Sequence, residues 1–178
     1  MAHDPSSPVL RFYEGGPDHR GRTLAEILAN DDAWLERTHD YIQWVFPLPE
    51  RSPYNPNAPV LLASDRAAFR AAPALRHRLL DGFGRMLAFY GFEMTTDRQD
   101  RCGITRLPSP GRAHWITPHD HNFLRISRIL RSLHLLGCPQ PASAFLAVLE
   151  PLAEAAGDIV GVVTLSHWRA AAKGERLA

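Results

Sequence analysis

Residues 122–133, Asn-Phe-Leu-Arg-Ile-Ser-Arg-Ile-Leu-Arg-Ser-Leu, restrict the fold more than any other stretch of the chain. With Leu136, the residues Phe123, Ile126, Ile129, Leu130 and Leu133 recur at intervals of three and four. That spacing gathers them on one face of an α-helix and would scatter them over both faces of a strand. Beside this face His121, Arg125, Arg128 and Ser132 fall at i, i+4, i+7 and i+11 and form a polar stripe. Leu124 and Leu135 lie across the helix from the main apolar face, so burial on more than one side is expected. Such an element is stable only when other helices cover it.

The rest of the chain supplies them. Leu24, Ile27 and Leu28 mark a short helix over 23–29. Asp31 or Asp32 can cap a second helix that turns Trp34, Leu35, Tyr41, Ile42 and Val45 inward until Pro47 and Pro49 stop it. A proline-rich connection follows, and Ser64 is expected to cap a helix through Phe69. Pro73 then opens a long helix over 74–90, closed by Gly91 and carrying Leu75, Leu79, Leu80, Phe83, Met86, Leu87 and Tyr90 on its apolar face. Gly82 and Gly84 each cost about 1 kcal/mol there relative to Ala, so a neighbouring helix is expected to approach closely at both. Residues 93–113 read as a long surface loop. Thr117-Pro118-His119-Asp120 has the pattern of a cap, a proline at the first helical position and an acid at the third, and predicts a helix from there to Gly137. Another helix covers 141–155, with Pro151 kinking it or ending it early, and a last one runs from about Thr164 to Ala172.

The expected fold is therefore all-α: a single-domain, irregular bundle of about seven helices with Pro-rich loops. Residues 1–9 read as a flexible N-terminal arm, 10–172 as the helical domain and 173–178 as a tail. A chain of 178 residues can bury a sizeable core without disulfides or metal. Its net charge of +1 gives no bulk electrostatic pull toward nucleic acid or an anionic membrane. Apolar runs fall short of the ~20 residues that span a bilayer. With no export signal and with Cys102 and Cys138 too far apart for a CxxC motif, the expectation is a cytoplasmic protein with reduced thiols.

Three constellations could carry chemistry. Nineteen of the twenty basic residues are arginine, each able to grip a carboxylate or phosphate through two parallel hydrogen bonds. Arg125 and Arg128, beside a buried face, either bind an anion or a peptide carboxylate, or tie the bundle to acids such as Glu36, Asp40 or Asp81. Glu36, His39 and Gln43, at i, i+3 and i+7 beside Tyr41 and Trp44, either recognise a ligand or merely edge an aromatic core. His114, His119 and His121 lie close in sequence, but residues two apart on a helix point away from each other, so no metal and no cofactor is expected. GxSxG, P-loop, HExxH and CxxC patterns are absent from the sequence.

Four elements also occur in a fixed order: Phe12-Tyr13, His39-Asp40-Tyr41-Ile42-Gln43-Trp44-Val45-Phe46-Pro47, Phe89-Tyr90-Gly91, and the helix from Asn122 to Gly137. In order and spacing they resemble the conserved region of the opioid growth factor receptor family, from about Leu10 to Leu152, with Leu165 to Arg169 as a possible extension. The animal members of that family are linked to an enkephalin-type opioid peptide and to growth regulation. They carry long C-terminal extensions and nuclear signals, whereas this sequence reads as a stand-alone, bacterial homologue. The resemblance implies a non-enzymatic module that binds a peptide or protein segment, and it brings no catalytic motif. The expected ligand-binding residues are Glu36, His39, Tyr41, Gln43 and Trp44 with His121, Asn122, Arg125 and Arg128, in a groove between the two segments. The alternative is an enzyme or sensor for a small phosphate- or carboxylate-bearing ligand held by Arg125 and Arg128. Neither reading calls for nucleic acid or membrane insertion.

Overall fold

Ser7 and Pro8 begin the first helix in the manner their chemistry favours: Ser7 Oγ accepts the Leu10 amide at 3.3 Å, and Pro8 loses nothing at a position where its missing N–H has no helical partner. The computed structural model describes residues 7–96, 102–108 and 115–176. Its contacts divide the chain into two compact units, 1–82 and 83–178.

The first unit contains α1 (Pro8–Tyr13), α2 (Leu24–Leu28), α3 (Asp32–Arg37), α4 (Ile42–Val45), α5 (Ala63–Ala71) and the first half of α6 (Pro73–Tyr90). Residues 7–9, expected in the arm, belong to α1 and its cap, and Ser7 and Val9 are buried. Thr23 and Glu26 cap α2 reciprocally, and Asp31 Oδ1 accepts the Trp34 amide at 2.7 Å to start α3. The single helix expected between Asp31 and Val45 is in fact two. Thr38 is extended and ends α3, and the Thr-His-Asp turn before α4 is held by hydrogen bonds from elsewhere in the unit. Glu36, His39 and Gln43 therefore do not share a helical face. Ser64 is not the cap of α5; Asp65 takes that work, accepting the Leu62 amide at 2.9 Å. Arg76 Nη1 donates to the Phe69 and Arg70 carbonyls at 2.7 and 2.6 Å and so satisfies the other end of α5. The connection after α4 closes on itself through a parallel bridge between Leu48 and Val60.

Phe12, Tyr13, Ile27, Leu35, Tyr41, Phe46, Phe69 and Leu79 make the core of this unit. Each such side chain contributes about 1.5–3 kcal/mol on leaving water. Gly82 behaves as expected: a Cβ there would lie 2.8 Å from Val45 Cγ1. Gly84 does not, because a Cβ at that position would meet nothing within 4 Å.

The second unit holds the end of α6, an antiparallel hairpin β1 (Phe92–Thr96) and β2 (Cys102–Arg106), and α7 (Asn122–Leu135), α8 (Pro139–Ala156) and α9 (Gly161–Ala172), with a single 3-10 turn (Gly157–Ile159) before α9. The hairpin replaces part of the loop expected at 93–113. Its register pairs Phe92 with Arg106 and Met94 with Ile104. Phe92 and Ile104 are buried, the Phe92 ring standing edge-on to Phe145 at 6.0 Å, while Glu93 and Thr105 face water. Among the described residues each strand buries a single residue, and the five-residue antiparallel ladder of backbone pairs makes the hairpin.

Three helix boundaries also differ. α7 starts at Asn122, not at Thr117. His119 has a positive φ of 61°, which no helix accommodates, and Asp120 Oδ1 accepts the Asn122 amide at 2.8 Å while Thr117 Oγ1 donates to Asp120 Oδ2 at 2.8 Å. α8 begins at Pro139 and runs through Pro151. Pro151 and Ala147, whose carbonyl loses its helical donor, are both exposed, so water can satisfy what the proline leaves open. α9 starts at Gly161, three residues before the expected Thr164.

α7, α8 and α9 pack on one another, and α8 also covers β2. Every residue on the expected apolar face of α7 is buried. Leu124 is 59% exposed, however, and the second buried side of α7 is made by Ser127, Arg131 and Ser132 instead. Ser127 Oγ donates to the Phe123 carbonyl at 3.1 Å. Arg131 Nε donates to the Gly174 carbonyl at 3.3 Å, and His134 Nδ1 lies 2.9 Å from the Ala172 carbonyl. The residues just after α9 are thereby fastened to α7. Gly174 has φ 79°, and a Cβ on it would stand 2.6 Å from His134 Cδ2.

Candidate functional site

The residues expected to bind a ligand fall into two sets, one in each unit. In the first unit, the chain between α1 and α2 makes a tight turn at 18–22, where the Asp18 amide donates to the Arg22 carbonyl at 2.8 Å and Gly21 takes φ 81°. Asp18, buried, gathers the turn around its carboxylate: Oδ1 accepts the amides of Arg20 and Arg22 at 2.8 and 3.0 Å, and Oδ2 accepts Arg22 Nε at 2.8 Å. Arg22 Nη2 also donates to Asp40 Oδ1 at 2.9 Å, and its guanidinium lies over Trp34, 5.5 Å from the ring centre. Asp40 Oδ2 takes Arg20 Nε at 3.0 Å and stands 3.5 Å from His19 Nε2.

The other nitrogen of His19 points at α4. Trp44 Nε1 donates to His19 Nδ1 at 3.0 Å with the two rings nearly parallel, 12° apart. One buried edge of the expected motif is thus tied to the 18–22 turn through a histidine, and that histidine bridges to Asp40. Burial pushes the Asp40 carboxyl upward, but the hydrogen bond and charge of Arg22, with His19 and Arg20, outweigh it and hold the group below its ordinary range. Burial likewise works against the charge on Arg22, and its bonds to Asp18 and Asp40 reverse the sign, so its pKa is raised.

Tyr41, Gln43 and Trp44 are buried, Glu36 is half-buried and His39 is exposed. The Tyr41 hydroxyl donates to the Leu35 carbonyl at 3.3 Å, and its ring lies 5.3 Å from Trp34. With its amide turned so that oxygen and nitrogen both find partners, Gln43 donates to the His39 and Asp40 carbonyls, 3.2 Å from each. Tyr41 and Gln43 therefore shape the turn, and Glu36 and His39 present it. The residues missed in the sequence are His19 and the Asp18, Arg20 and Arg22 around it. A dense Asp-His-Arg-Gly-Arg run beside a turn-forming glycine is the signal that could have pointed to them.

In the second unit, Asn122 is fully buried at the start of α7. Its amide nitrogen donates to Asp120 Oδ1 at 2.9 Å, and its oxygen accepts from the Tyr90 hydroxyl and from Arg125 Nη1, each at 3.3 Å. Arg125 is only 5% exposed, and Arg128 is half-buried. His121 is half-buried, with Nδ1 3.8 Å from Asp120 Oδ1. Trp115 Nε1 donates to the Tyr90 carbonyl at 3.2 Å, and Trp168 Nε1 to the Phe123 carbonyl at 3.0 Å, so aromatic N–H groups close the backbone around this helix start. Among the described residues no cluster of His, Cys, Asp and Glu could hold a metal ion. His114 lies outside the described residues. No described helix is long and apolar enough to cross a membrane.

The pattern of the family described as the opioid growth factor receptor conserved region matches residues 9–158. This chain belongs to that family. The family match spans both residue sets and agrees with the resemblance carried by the His39–Pro47 and Asn122–Gly137 elements. The chain is 41% identical to the opioid growth factor receptor of Rattus norvegicus over 120 residues, 66% of this chain and 20% of that protein. It is 36% identical to opioid growth factor receptor-like protein 1 of Xenopus tropicalis over 137 residues, 72% of this chain and 25% of that protein. Against the human opioid growth factor receptor the identity is 35% over 136 residues, 74% of this chain and 20% of the relative. The matched region is thus a fifth to a quarter of the length of these relatives. No solved structure matches the chain.

Proposed function

We propose that this chain acts as a non-enzymatic binding module whose ligand is a peptide or a segment of another protein. The observation that carries the reading is the match over residues 9–158 to a family whose relatives are named as receptors. The geometry of the first unit is compatible with it. Trp34 and the exposed His39 and half-buried Glu36 surround a turn whose shape Tyr41, Gln43 and Trp44 fix from within. Rigid aromatic surface edged by charge is what peptide recognition uses. Asp40 is engaged by Arg20, Arg22 and His19, and Glu36, half-buried at the end of α3, is the other carboxylate beside the turn that a ligand's amine could meet. In the second unit, His121 and Arg128 are the more accessible members of the set, while Asn122 and Arg125 hold the helix start.

The alternative, an enzyme or sensor for a small phosphate- or carboxylate-bearing ligand at Arg125 and Arg128, has less support. Arg125 is buried and donates to Asn122, so a phosphate reaching it would have to displace that bond.

A displayed random-peptide library panned on the full chain tests the reading, followed by titration calorimetry of the selected peptides. Saturable binding at about 1–50 μM is expected, weakened about tenfold or more by Glu36→Ala with His39→Ala at unchanged melting temperature. Selections that yield no saturable binder, beside saturable binding of inorganic phosphate abolished by Arg128→Ala, would reverse the order of the two readings.

A further inference from the structure

We propose that His19 is a pH-sensitive latch on Trp44. Neutral, it accepts the Trp44 indole proton and clasps the 18–22 turn against α4; protonated, it lets Trp44 go and turns wholly to Asp40.

The geometry defines the neutral form. An indole nitrogen can only donate. With Trp44 Nε1 at 3.0 Å from His19 Nδ1, that ring nitrogen must be the acceptor, so the ring proton sits on Nε2, which faces Asp40 Oδ2 at 3.5 Å. Adding a proton places N–H on both ring nitrogens. Two donors would then oppose each other across 3.0 Å, and the contact cannot survive. On the other side the same proton turns a long neutral contact into a charge-assisted pair with Asp40, which rewards the ring for moving that way. Acid therefore exchanges one partner for the other.

The surroundings decide what moves. The charged groups about His19 among the described residues are Asp40, which faces it directly, Arg20 and Arg22 on the same carboxylate, and Asp18 behind Arg22. Charged His19 would be a third cation on Asp40. Of the two arginines, Arg22 is held by both Asp18 and Asp40, whereas the Arg20 side chain is 66% exposed and has the single carboxylate. Arg20 is the one to yield. Trp44 is buried and packs against Phe12, the ring centres 5.5 Å apart and the planes tilted by 60°, so its N–H is left without an acceptor unless the indole edge or the turn shifts toward water. If the binding reading above is right, the latch regulates that same site, since His19 also meets Asp40 at the end of the Thr38–Asp40 turn. The latch itself requires no ligand.

Two other tryptophans provide internal controls. Trp115 and Trp168 donate to the Tyr90 and Phe123 carbonyls, which do not titrate. In nitrogen-15 spectra of the ligand-free full chain, with Trp44→Phe assigning its indole signal, acidification from pH 8 to 5 should shift the Trp44 indole proton in step with the His19 ring. Its protection from exchange, taken relative to the Trp115 and Trp168 indoles at the same pH, should fall about tenfold or more once the N–H is released. The Trp115 and Trp168 signals should stay in place. His19→Gln, whose amide oxygen can accept the indole proton at any pH, should fix the Trp44 signal across the same range. The latch is refuted by a His19 ring that titrates without moving Trp44, by one that stays neutral to pH 5, or by the three indoles moving together. The wild-type titration decides the matter even if His19→Gln does not fold. It is also independent of peptide selection.

Discussion

Gly82 and Gly84 sit two residues apart in α6, and replacing each by alanine should move stability in opposite directions. In a helix interior the substitution gains about 1 kcal/mol from propensity alone. At Gly84 nothing lies within 4 Å of the new methyl, so that gain should be realised in full. At Gly82 the methyl would stand 2.8 Å from Val45 Cγ1. Carbon atoms rest at about 3.5–4.0 Å, so roughly 1 Å must be found. Val45 is buried and β-branched, with one favoured rotamer in a helix, so α4 itself has to move. Overpacking of this kind costs about 1–3 kcal/mol. Subtracting the propensity gain leaves Gly82→Ala about 0–2 kcal/mol less stable than wild type, and separates the two variants by about 1–3 kcal/mol. In a chain of this length 1 kcal/mol is about 2–4 °C, so their melting temperatures should differ by about 2–12 °C, Gly84→Ala the higher. Circular dichroism melts measure this directly. Val45→Ala removes Cγ1 and should abolish the Gly82→Ala penalty, giving a coupling of about 1–3 kcal/mol in the double-mutant cycle. Equal stabilisation by both alanines, or a cycle with no coupling, would show that α4 does not rest on Gly82.

Asn122→Ala should cost about 1–3 kcal/mol in urea denaturation, since it removes the buried acceptor shared by the Tyr90 hydroxyl and Arg125 Nη1; no measurable loss rejects the network. Asp40 is held below its ordinary carboxylate range, so its contribution is present above the unfolded group's titration and is lost as pH falls below about 4. Wild type should accordingly lose melting temperature more steeply than Asp40→Asn between about pH 5 and 2, and parallel curves would count against the Arg22–Asp40 pairing. An enkephalin-type pentapeptide should bind no tighter than about 100 μM by calorimetry, because ordering five flexible residues is costly; sub-micromolar binding lost on Arg125→Ala would show the opposite.

Periodicity carried the long helices. The apolar face of α7 and that of α6 were legible because burial there follows a 3.6-residue repeat over four turns or more. The hairpin was not, because Phe92 and Ile104 are its two inward residues and each strand is too short for an alternation to stand out from a polar loop. The start of α7 was misplaced since Thr-Pro-His-Asp suits both a helix entry and an aspartate-capped turn, and only the backbone of His119 separates the two. The α3–α4 break was hidden for a different reason: the Asp40 carboxylate that follows it is held by Arg20 and Arg22, which lie some twenty residues away in sequence. For the candidate site, Trp44 and Asn122 stood out by type, but not their partners. His19 becomes visible only when the fold brings it to Trp44.

The fastening of Arg131 and His134 to the backbone after α9 has a mechanical side. Tension applied at Glu175 would be divided between two helices, since its own amide donates to the Ala170 carbonyl of α9 at 3.1 Å while the Gly174 and Ala172 carbonyls are held by α7. A spectroscopic label or surface tether placed at residue 175 would therefore report the motion of α7 as well as α9, and Gly174, which no larger residue can replace without striking His134, is the hinge pin of that linkage.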